Sequence, residues 1–282
     1  MPIFSPDSSV FSLQNTATTS TRPVLPQKEQ KKILRDMQKQ ILVLQEKLFA
    51  EKKQSLLCMF QAMDAAGKDG TINSVFSGLL PMGIAYHAFT KPTKPELARD
   101  YLWRIHQVVP QKGNIGVFNR SHYEEIITVR VFPEFLLAQH LPPGDIDSII
   151  QQRIEDIKAF EQLLARNGTR ILKFFLHVGK EEQGRRLQER MENPNKHWKH
   201  DSHDLVCRAK WMEFMHAYEQ AIIHTHTPYA PWYIIPADDK PTMRIDVAEI
   251  LLQTLSDMEP KFPAVSPAQL ESISKDRTTL LS

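Results

Sequence analysis

A chain of 282 residues, 41% of them hydrophobic and 24% charged, has the composition of an ordinary soluble globular protein. It is long enough to bury a substantial core, in one large domain or two small ones. The formal net charge of +2 excludes a strongly basic nucleic-acid coat protein and an acidic tail protein, and two cysteines cannot build a disulfide framework.

Residues 1–26 are rich in serine, threonine and proline, which predicts a flexible N-terminal arm. This segment has neither a basic start nor a sustained apolar stretch, so it does not look like a secretion signal. No apolar run approaches the ~20 residues needed to cross a membrane. We therefore expect a cytoplasmic protein with neither a membrane nor a nucleic-acid partner.

An amphipathic helix is predicted over residues 28–54, where apolar residues recur at helical spacing among Lys, Gln and Glu. Its apolar stripe packs either on the domain or on another subunit, and the pattern does not distinguish the two. We expect a homo-oligomer, a dimer or a tetramer, in which this helix is a candidate interface.

Short apolar runs predict five strands, over residues 55–62, 84–90, 114–119, 170–178 and 231–237. Helical patterns separate them, over residues 95–109, 144–167, 180–192, 203–224 and 240–257. The alternation implies a mostly parallel five-stranded sheet covered on both faces. Because no low-complexity linker or internal repeat divides it, we predict one α/β domain over residues 27–258, followed by a C-terminal tail over residues 259–282.

The first predicted strand leads into QAMDAAGKDGTI, residues 61–72, which departs at both ends from the phosphate-binding pattern Gly-x4-Gly-Lys-Ser/Thr. Gly67 and Lys68 are present, but Ala62 replaces the first glycine and Asp69 replaces the hydroxyl residue. A strand, a loop and a helix in this order supply free N–H groups and a helix dipole that attract an anion. The alternative is a fortuitous Gly-Lys pair at a helix start.

Asp64 is a carboxylate inside this loop, where it would repel phosphate unless a divalent cation lay between them. Mg²⁺ prefers oxygen ligands and is usually held by one or two carboxylates together with phosphate oxygens. Asp64 is therefore the predicted metal anchor, and Asp69 and Thr71 are weaker candidates. Asp69 also suits the first helical turn, where the helix dipole favours an acid.

GVFNRSHYEE, residues 116–125, places polar side chains at the carboxyl end of another predicted strand, where ligands bind in open α/β sheets. A phosphate-handling enzyme often carries its second metal-binding acid here, but this chain has Asn119, with Glu124 following a turn later. Arg120 would face the same anion as the loop lysine. The alternative is an ordinary helix start with a serine cap and acids in its first turn, and both interpretations can hold together.

Residues 183–211 are locally basic, with seven Lys or Arg residues against four Asp or Glu residues. Such a run is usually a solvated face. Its position between the fourth and fifth strands of a sheet that carries a phosphate loop favours a lid that closes over a polyanion. Four further charged residues follow the fifth strand at its carboxyl end, again on the ligand side: Asp238, Asp239, Lys240 and Arg244.

Taken together, these segments resemble the polyphosphate kinase 2 family, which uses inorganic polyphosphate to phosphorylate nucleotides. The matching segments run in order through most of residues 55–245: MDAAGKDGTI, FNRSHYEE, HVGKEEQGRRLQER, NPNKHWKHDSHDL and PYAPWYIIPADDK. The resemblance implies a P-loop kinase-like α/β fold, a parallel five-stranded sheet with flanking helices and a helical lid over about residues 183–211.

The resemblance, together with the loop and lid patterns, gives individual residues their expected roles. The catalytic residues would be Asp64, Lys68 and Arg120, and the ligands of Mg²⁺ (or Mn²⁺) would be Asp64 and Glu124. Polyphosphate would contact the loop and the lid through Ala66, Gly67, Lys68, Asp69, Gly70, Thr71, Arg120, Arg185, Arg186, Arg190, Lys199 and Arg208. The nucleotide would contact Asn119, His122, Tyr123 and Glu124.

The chain departs from the family after the second strand motif. Many relatives read Asp-Arg-Ser-Trp-Tyr-Asn where this chain reads Asn119-Arg120-Ser121-His122-Tyr123-Glu124. This variant resembles the subgroup that phosphorylates both AMP and ADP, in which the glutamate assists the second metal. The resemblance thus implies reversible phosphoryl transfer from polyphosphate to ADP or AMP, with ATP formed from ADP. The rival functions are an ATP-dependent nucleotide or nucleoside kinase and a non-catalytic polyphosphate- or nucleotide-binding protein.

Overall fold

A sheet of five parallel strands, in the order β2-β3-β1-β4-β5, forms the centre of the computed structural model, which describes residues 11–281. The strands are β1 Ser55–Gln61, β2 Ile84–Ala88, β3 Ile115–Asn119, β4 Thr169–His177 and β5 Trp232–Pro236. Cys58 of β1 pairs with Val117 on one side and Leu172 on the other. The central strand is buried along its whole length, as its continuous apolar run requires. The predicted α/β fold class is confirmed.

Helices cover both faces of the sheet. They are α1 Gln27–Glu51, α2 Lys68–Val75, α3 Lys94–Leu97, α4 Trp103–His106, α5 Glu124–Val131, α6 Ile146–Arg166, α7 Lys180–Glu192, α8 His203–Ala209, α9 Trp211–Thr225, α10 Lys240–Asp257 and α11 Pro267–Leu281. Short 3₁₀ segments occupy Leu13–Asn15, Pro81–Gly83, Pro133–Gln139 and Pro194–Lys199. Since all strands run in one direction, the segments that follow them gather at a single edge of the sheet.

The single helix predicted over residues 95–109 is wrong, because two short helices, α3 and α4, occupy this stretch. A capping box of Thr93 and Glu96 starts α3. The side chain of Asp100 then accepts the backbone N–H of Leu102 at 3.0 Å. An aspartate that bonds the backbone two residues ahead makes a turn, which breaks the helix into two.

The apolar stripe of α1 packs on its own domain, against α10. Ile41 and Leu48 are fully buried there. Gln45 is also buried, and its amide exchanges two hydrogen bonds with the backbone of Leu80, at 2.8 and 3.0 Å. Of the two alternatives for this stripe, the intramolecular one is observed.

Residues 11–26 differ from the flexible arm predicted from their composition, and residues 1–10 lie outside the described part. Leu13 is 1% exposed, and its N–H donates to Glu219 at 2.7 Å. The Nε2 atom of His177, at the end of β4, lies 3.0 Å from the Leu13 carbonyl. Arg22 pairs with Asp246 of α10 at 2.5 Å. One buried leucine and several polar contacts attach this segment to the domain. Its average composition gave no sign of these contacts.

The end of the chain forms α11, whose side chains are exposed over residues 267–280. Within residues 11–281, no helix is both long and apolar enough to span a membrane.

Candidate active site

The loop between β1 and α2 contains two residues in the left-handed region of backbone conformation. Gly67 has φ of 108° and Ala65 has φ of 60°. Glycine adopts this conformation without strain, whereas alanine does so at a cost of about 1–3 kcal/mol. A Cβ on Gly67 would also lie 3.4 Å from Cε of Met243 in α10. The backbone is therefore held tightly where the chain turns from the sheet into α2.

Lys68, the first residue of α2, folds back over this loop. Its Nζ atom donates to the carbonyls of Ala62 at 2.8 Å and Met63 at 3.3 Å, and the residue is 9% exposed. Burial lowers the pKa of Lys68, and the charge of Arg120 lowers it further. An ammonium has three donors, so one donor remains for a ligand after the two loop carbonyls.

Arg120, at the tip of β3, bridges two carboxylates. Its Nη2 atom lies 2.5 Å from Oδ1 of Asp64, and its Nη1 atom lies 3.9 Å from Oε2 of Glu124. These carboxylates, Glu124 most strongly, raise the pKa of Arg120 against the opposing effect of burial. The backbone φ of Arg120 is 63°, and its N–H donates to the Phe60 carbonyl at 3.0 Å. Its side chain is 40% exposed, so the cluster is open to solvent.

Further contacts fix the carboxylate of Glu124 and the backbone at Asp64. The hydroxyl of Thr128 donates to Oε2 of Glu124 at 2.5 Å. The amide of Gln61, oriented so that its oxygen accepts from Ser121, donates to Oε1 of Glu124 at 2.9 Å. On the other side, the amide of Gln183 in α7 donates to the backbone carbonyl of Asp64 at 3.2 Å. Gln61, the last residue of β1, and Gln183 of α7 thus position the residues around Arg120.

Asn119, at the end of β3, acts as a hydrogen-bond donor. Its Nδ2 atom donates to Asp69 at 2.8 Å and to the hydroxyl of Tyr86 at 3.2 Å. Lys199 of the lid lies 3.5 Å from the other oxygen of Asp69. Burial would raise the pKa of Asp69, but the Asn119 hydrogen bond and the Lys199 charge together hold it below its usual value. Tyr86 is 54% exposed, so this side of the site is also open.

Arg186 of α7 joins the loop to the segment that follows β5. Its Nε atom donates to Glu182 at 2.6 Å, and the side chain is 4% exposed. Its Nη1 atom donates to the carbonyls of Ala65 and Ala66, at 3.3 and 2.7 Å, and its Nη2 atom donates to those of Ala237 and Asp238, at 2.7 and 3.0 Å. A guanidinium has five N–H donors, so these contacts leave none for polyphosphate. The structure makes Arg186 a clamp on the loop, which differs from the predicted contact with polyphosphate.

The other lid cations also have partners inside the protein. Arg185 pairs with Glu182 at 2.8 Å, and Arg190 pairs with Asp204 at 2.6 Å. Arg208 donates to the carbonyl of Lys180 at 2.5 Å and to the amide oxygen of Gln183 at 2.7 Å. Arg185 is 64% exposed, and its charge is the most accessible of the three arginines to solvent.

His122 and Tyr123 lie in the core, although the sequence predicted that they contact a nucleotide. They are 1% and 0% exposed. The Tyr123 hydroxyl donates to Glu161 at 2.7 Å, and buried Lys173 donates to that hydroxyl at 2.9 Å and to Glu161 at 2.7 Å. Burial raises the pKa of Tyr123 well above its usual value. Neither side chain is open to a nucleotide; both anchor the segment that carries Arg120.

The chain matches the family model described as Polyphosphate kinase 2 over residues 24–263. It belongs to the polyphosphate kinase 2 family. It is 49% identical to the AMP/ADP-polyphosphate phosphotransferase of Meiothermus ruber, over 78% of this chain and 79% of that protein. It is 41% identical to the ADP-polyphosphate phosphotransferase of Rhodopseudomonas palustris, over 88% of this chain and 87% of that protein. The crystal structure of polyphosphate kinase 2 from Arthrobacter aurescens has a TM-score of 0.85 and 35% identity and covers 98% of each chain.

In this family member, the donor set around Arg120 fits a magnesium ion. Asp64 and Glu124 supply hard carboxylate oxygens next to a phosphate loop, and Mg²⁺ is typically held by one or two carboxylates plus substrate phosphates and waters. The described residues 11–281 contain no group of three or more His, Cys, Asp or Glu side chains arranged to hold a metal. Asp64 and Glu124 would be the protein ligands of a metal ion at this position.

The remaining predicted loop residues surround the start of α2. Ala66 is fully buried, and its carbonyl accepts a hydrogen bond from Arg186. The Thr71 hydroxyl points to Sδ of Met243 at 3.8 Å, and a Cβ on Gly70 would lie 3.4 Å from Nη2 of Arg244. Sequence reasoning missed Gln61, Gln183 and the positioning role of Arg186. A glutamine that ends an otherwise apolar strand was the available signal for Gln61.

Proposed function

We propose that this polyphosphate kinase 2 family member transfers the terminal phosphoryl group of inorganic polyphosphate to ADP or AMP, reversibly and with Mg²⁺ or Mn²⁺. The observation that carries the proposal is Arg120 between Asp64 and Glu124, beside the loop that holds Lys68. Family membership and the names of the two relatives support the donor, and the AMP/ADP name of one relative supports both acceptors.

Phosphoryl transfer of this kind requires little covalent chemistry from the protein. The attacking group is a phosphate oxygen that is already ionised at neutral pH, so no general base is needed. Positioning and charge neutralisation then account for most of the acceleration. Lys68 and Arg120 would neutralise the transferred phosphoryl group, and the loop N–H groups at the start of α2 would orient it.

Asp64 and Glu124 would hold the metal ion. When bound, Mg²⁺ supplies charge neutralisation at phosphate oxygens. Arg120 contacts one oxygen of each carboxylate, Oδ1 of Asp64 and Oε2 of Glu124, and its contact with Glu124, at 3.9 Å, is the weaker of the two. Asn119 is assigned to the acceptor side as a hydrogen-bond donor, together with the accessible Tyr86 hydroxyl.

A donor test decides between this function and its rivals. Purified protein with ADP, Mg²⁺ and polyphosphate, without ATP, is expected to form ATP, which a luciferase assay measures. Absence of ATP formation, with efficient phosphorylation of AMP by ATP, would establish an ATP-dependent kinase instead. Saturable polyphosphate binding without any turnover would establish a non-catalytic binding protein. Offering AMP, ADP, GMP and GDP in parallel defines the acceptor.

The proposal includes a cytoplasmic homo-oligomer, a dimer or a tetramer, without a nucleic-acid or membrane partner. The buried inner face of α1 is not available as the subunit interface, since it packs on α10. Light scattering on the purified chain measures the assembly.

A further inference from the structure

Arg244 of α10 differs from the lid arginines, which have partners inside the protein. It makes no hydrogen bond or ion pair to any of residues 11–281, and its Nε atom is buried without a partner. Burial lowers the pKa of Arg244, and no carboxylate acts on it in the opposite direction. A buried or half-buried charge without a counter-ion is costly. The buried Nε atom without a partner therefore points to a ligand that supplies the counter-charge.

The position of Arg244 places it beside the phosphate loop. Its Nη2 atom lies 3.4 Å from where a Cβ of Gly70 would be, in the first turn of α2. The preceding residue, Met243, lies beside the loop, since its Cε atom is 3.4 Å from where a Cβ of Gly67 would be. The guanidinium thus lies beside the loop and the start of α2. It is not part of the groups of contacts around Arg120, Asn119 or Arg186.

Lys240 extends this charge along α10. It lies four residues before Arg244, on the same helix face and about 6 Å away along the axis. Its ammonium makes no ion pair within the described residues, and burial and the charge of Arg186 lower its pKa. Two cations a turn apart match an extended anion with several charges better than a single phosphate group.

The sheet order separates this face from the Asn119 side. The loop follows β1, the central strand, with β3 on one flank and β4 and then β5 on the other. Asn119 ends β3 and Tyr86 lies in the middle of β2, the edge strand beyond β3, whereas Lys240 and Arg244 follow β5. An acceptor on the β3 side leaves the β5 side of the loop for the donor.

We propose that Arg244 and Lys240 form a subsite for the part of the polyphosphate chain that lies beyond the reacting phosphoryl group. This inference rests on the proposed function and adds a location for the donor: the chain leaves the loop along α10. The lid arginines Arg186, Arg190 and Arg208 then serve to hold the lid and the loop in place.

The test is Arg244→Gln, with steady-state kinetics on long-chain polyphosphate, on tripolyphosphate and on ADP. Loss of a charge-assisted contact is expected to raise the KM for long-chain polyphosphate about tenfold. The KM for tripolyphosphate should rise less, because a short donor does not reach α10. The KM for ADP and the kcat at saturating polyphosphate should stay within about twofold of wild type. Lys240→Gln should act in the same direction with a smaller effect.

Arg277→Gln, on the exposed α11, is the matched control for loss of one arginine charge, and its KM values should equal those of wild type. The thermal midpoint of Arg244→Gln should not fall, because Arg244 makes no hydrogen bond or ion pair within residues 11–281 that the substitution would remove. An unchanged KM for long-chain polyphosphate would overturn the inference, and an equal rise in the KM for ADP would assign Arg244 to the nucleotide instead.

Equilibrium binding of labelled long-chain polyphosphate without nucleotide separates this inference from the proposed function. If wild type and Arg244→Gln bind equally, the subsite is wrong even when transfer from polyphosphate occurs. If wild type binds about tenfold tighter than the variant but transfers no phosphoryl group, the subsite stands and the catalytic proposal fails.

Discussion

Two arginines contact the phosphate loop and differ in what they hold. Arg120 reaches the side chain of Asp64, is 40% exposed and has a second carboxylate within 3.9 Å. Arg186 reaches the backbone carbonyls of Ala65 and Ala66, is 4% exposed and uses all its donors inside the protein. Arg120 can exchange a carboxylate partner for a ligand. Arg186 cannot give up its partners without removing the hydrogen bonds that support the loop.

This difference shows why the number of basic residues in a segment does not locate an anion site. Residues 183–211 are the most basic stretch considered, yet their arginines are occupied by carboxylates and carbonyls. An unpaired cation has more to gain from an anion than a paired one, because a paired cation must first give up its contact. The comparison predicts that changes around Arg120 affect activity and that changes around Arg186 affect stability.

The largest effect is expected for Asp64→Asn. The asparagine keeps the size of the side chain but removes the charge that pairs with Arg120 and would bind the metal ion. We expect kcat to fall about 10³-fold or more, which corresponds to ~4 kcal/mol. The thermal midpoint should change by no more than about 2 °C, because Asp64 is partly exposed and Arg120 keeps Glu124 as a partner.

Asp36→Asn, at an exposed position of α1, is the control and should retain wild-type activity. Near-normal turnover in Asp64→Asn would remove Asp64 from the metal site and leave Glu124 as its candidate carboxylate. A large loss of stability would make Asp64 a structural residue like those around Arg186. It would contradict the prediction that changes around Arg120 affect activity and not stability.

Arg186→Gln should lower the free energy of unfolding by about 3 kcal/mol, because it leaves several buried carbonyls without a donor. Arg186→Lys should not restore it, since an ammonium lacks the planar fork that reaches both segments. Arg277→Gln, on the exposed α11, is the matched control for loss of one arginine, and its unfolding curve in urea should superimpose on that of wild type. If Arg186→Gln kept full stability but lost affinity for polyphosphate, Arg186 would be a substrate contact after all.

Most of the fold could be predicted from the sequence because buried parallel strands need continuous apolar runs and these are visible. The five observed strands coincide with the five runs to within two residues at each end. The predicted helix 95–109 failed because the interruption comes from one side-chain hydrogen bond of Asp100, which periodicity does not register. The prediction of a flexible arm differs from the structure at residues 11–26 for a related reason. The order of this segment depends on partners that are distant in sequence, such as His177.

The sequence predicted the proximity of the candidate residues where geometry follows from the backbone. Asp64, Lys68 and Arg120 come together because the loops after β1 and β3 adjoin at one edge of the sheet. The sequence could not show which donors are already occupied. It therefore assigned Arg186 to the substrate and placed His122 and Tyr123 at the nucleotide, although all three side chains are buried and the donors of Arg186 and Tyr123 are already occupied. Occupancy depends on contacts between residues more than 30 positions apart, such as Arg186 to Ala66 and Tyr123 to Glu161.

The smallest expected effect is the pH dependence contributed by Glu182, which accepts from both Arg185 and Arg186. The hydrogen bonds from Arg185 lower its pKa most, burial opposes them, and Arg186 adds to the lowering, so that its pKa is about 2 against an ordinary 4.5. Between these values the unfolded chain binds a proton that the folded chain does not. The stabilisation by Glu182 is therefore complete above pH 4.5 and is lost as the pH falls towards 2.

Urea denaturation of wild type and Glu182→Gln across pH 7 to 3 measures this contribution. We expect wild type to be more stable by about 1–2 kcal/mol at pH 7, and the difference should shrink steadily below pH 4.5. Glu181→Gln, the adjacent exposed position, should show no such narrowing. A difference that stays constant with pH would mean that Glu182 holds Arg186 through hydrogen bonds that a glutamine reproduces only in part, and that its charge contributes nothing to the clamp.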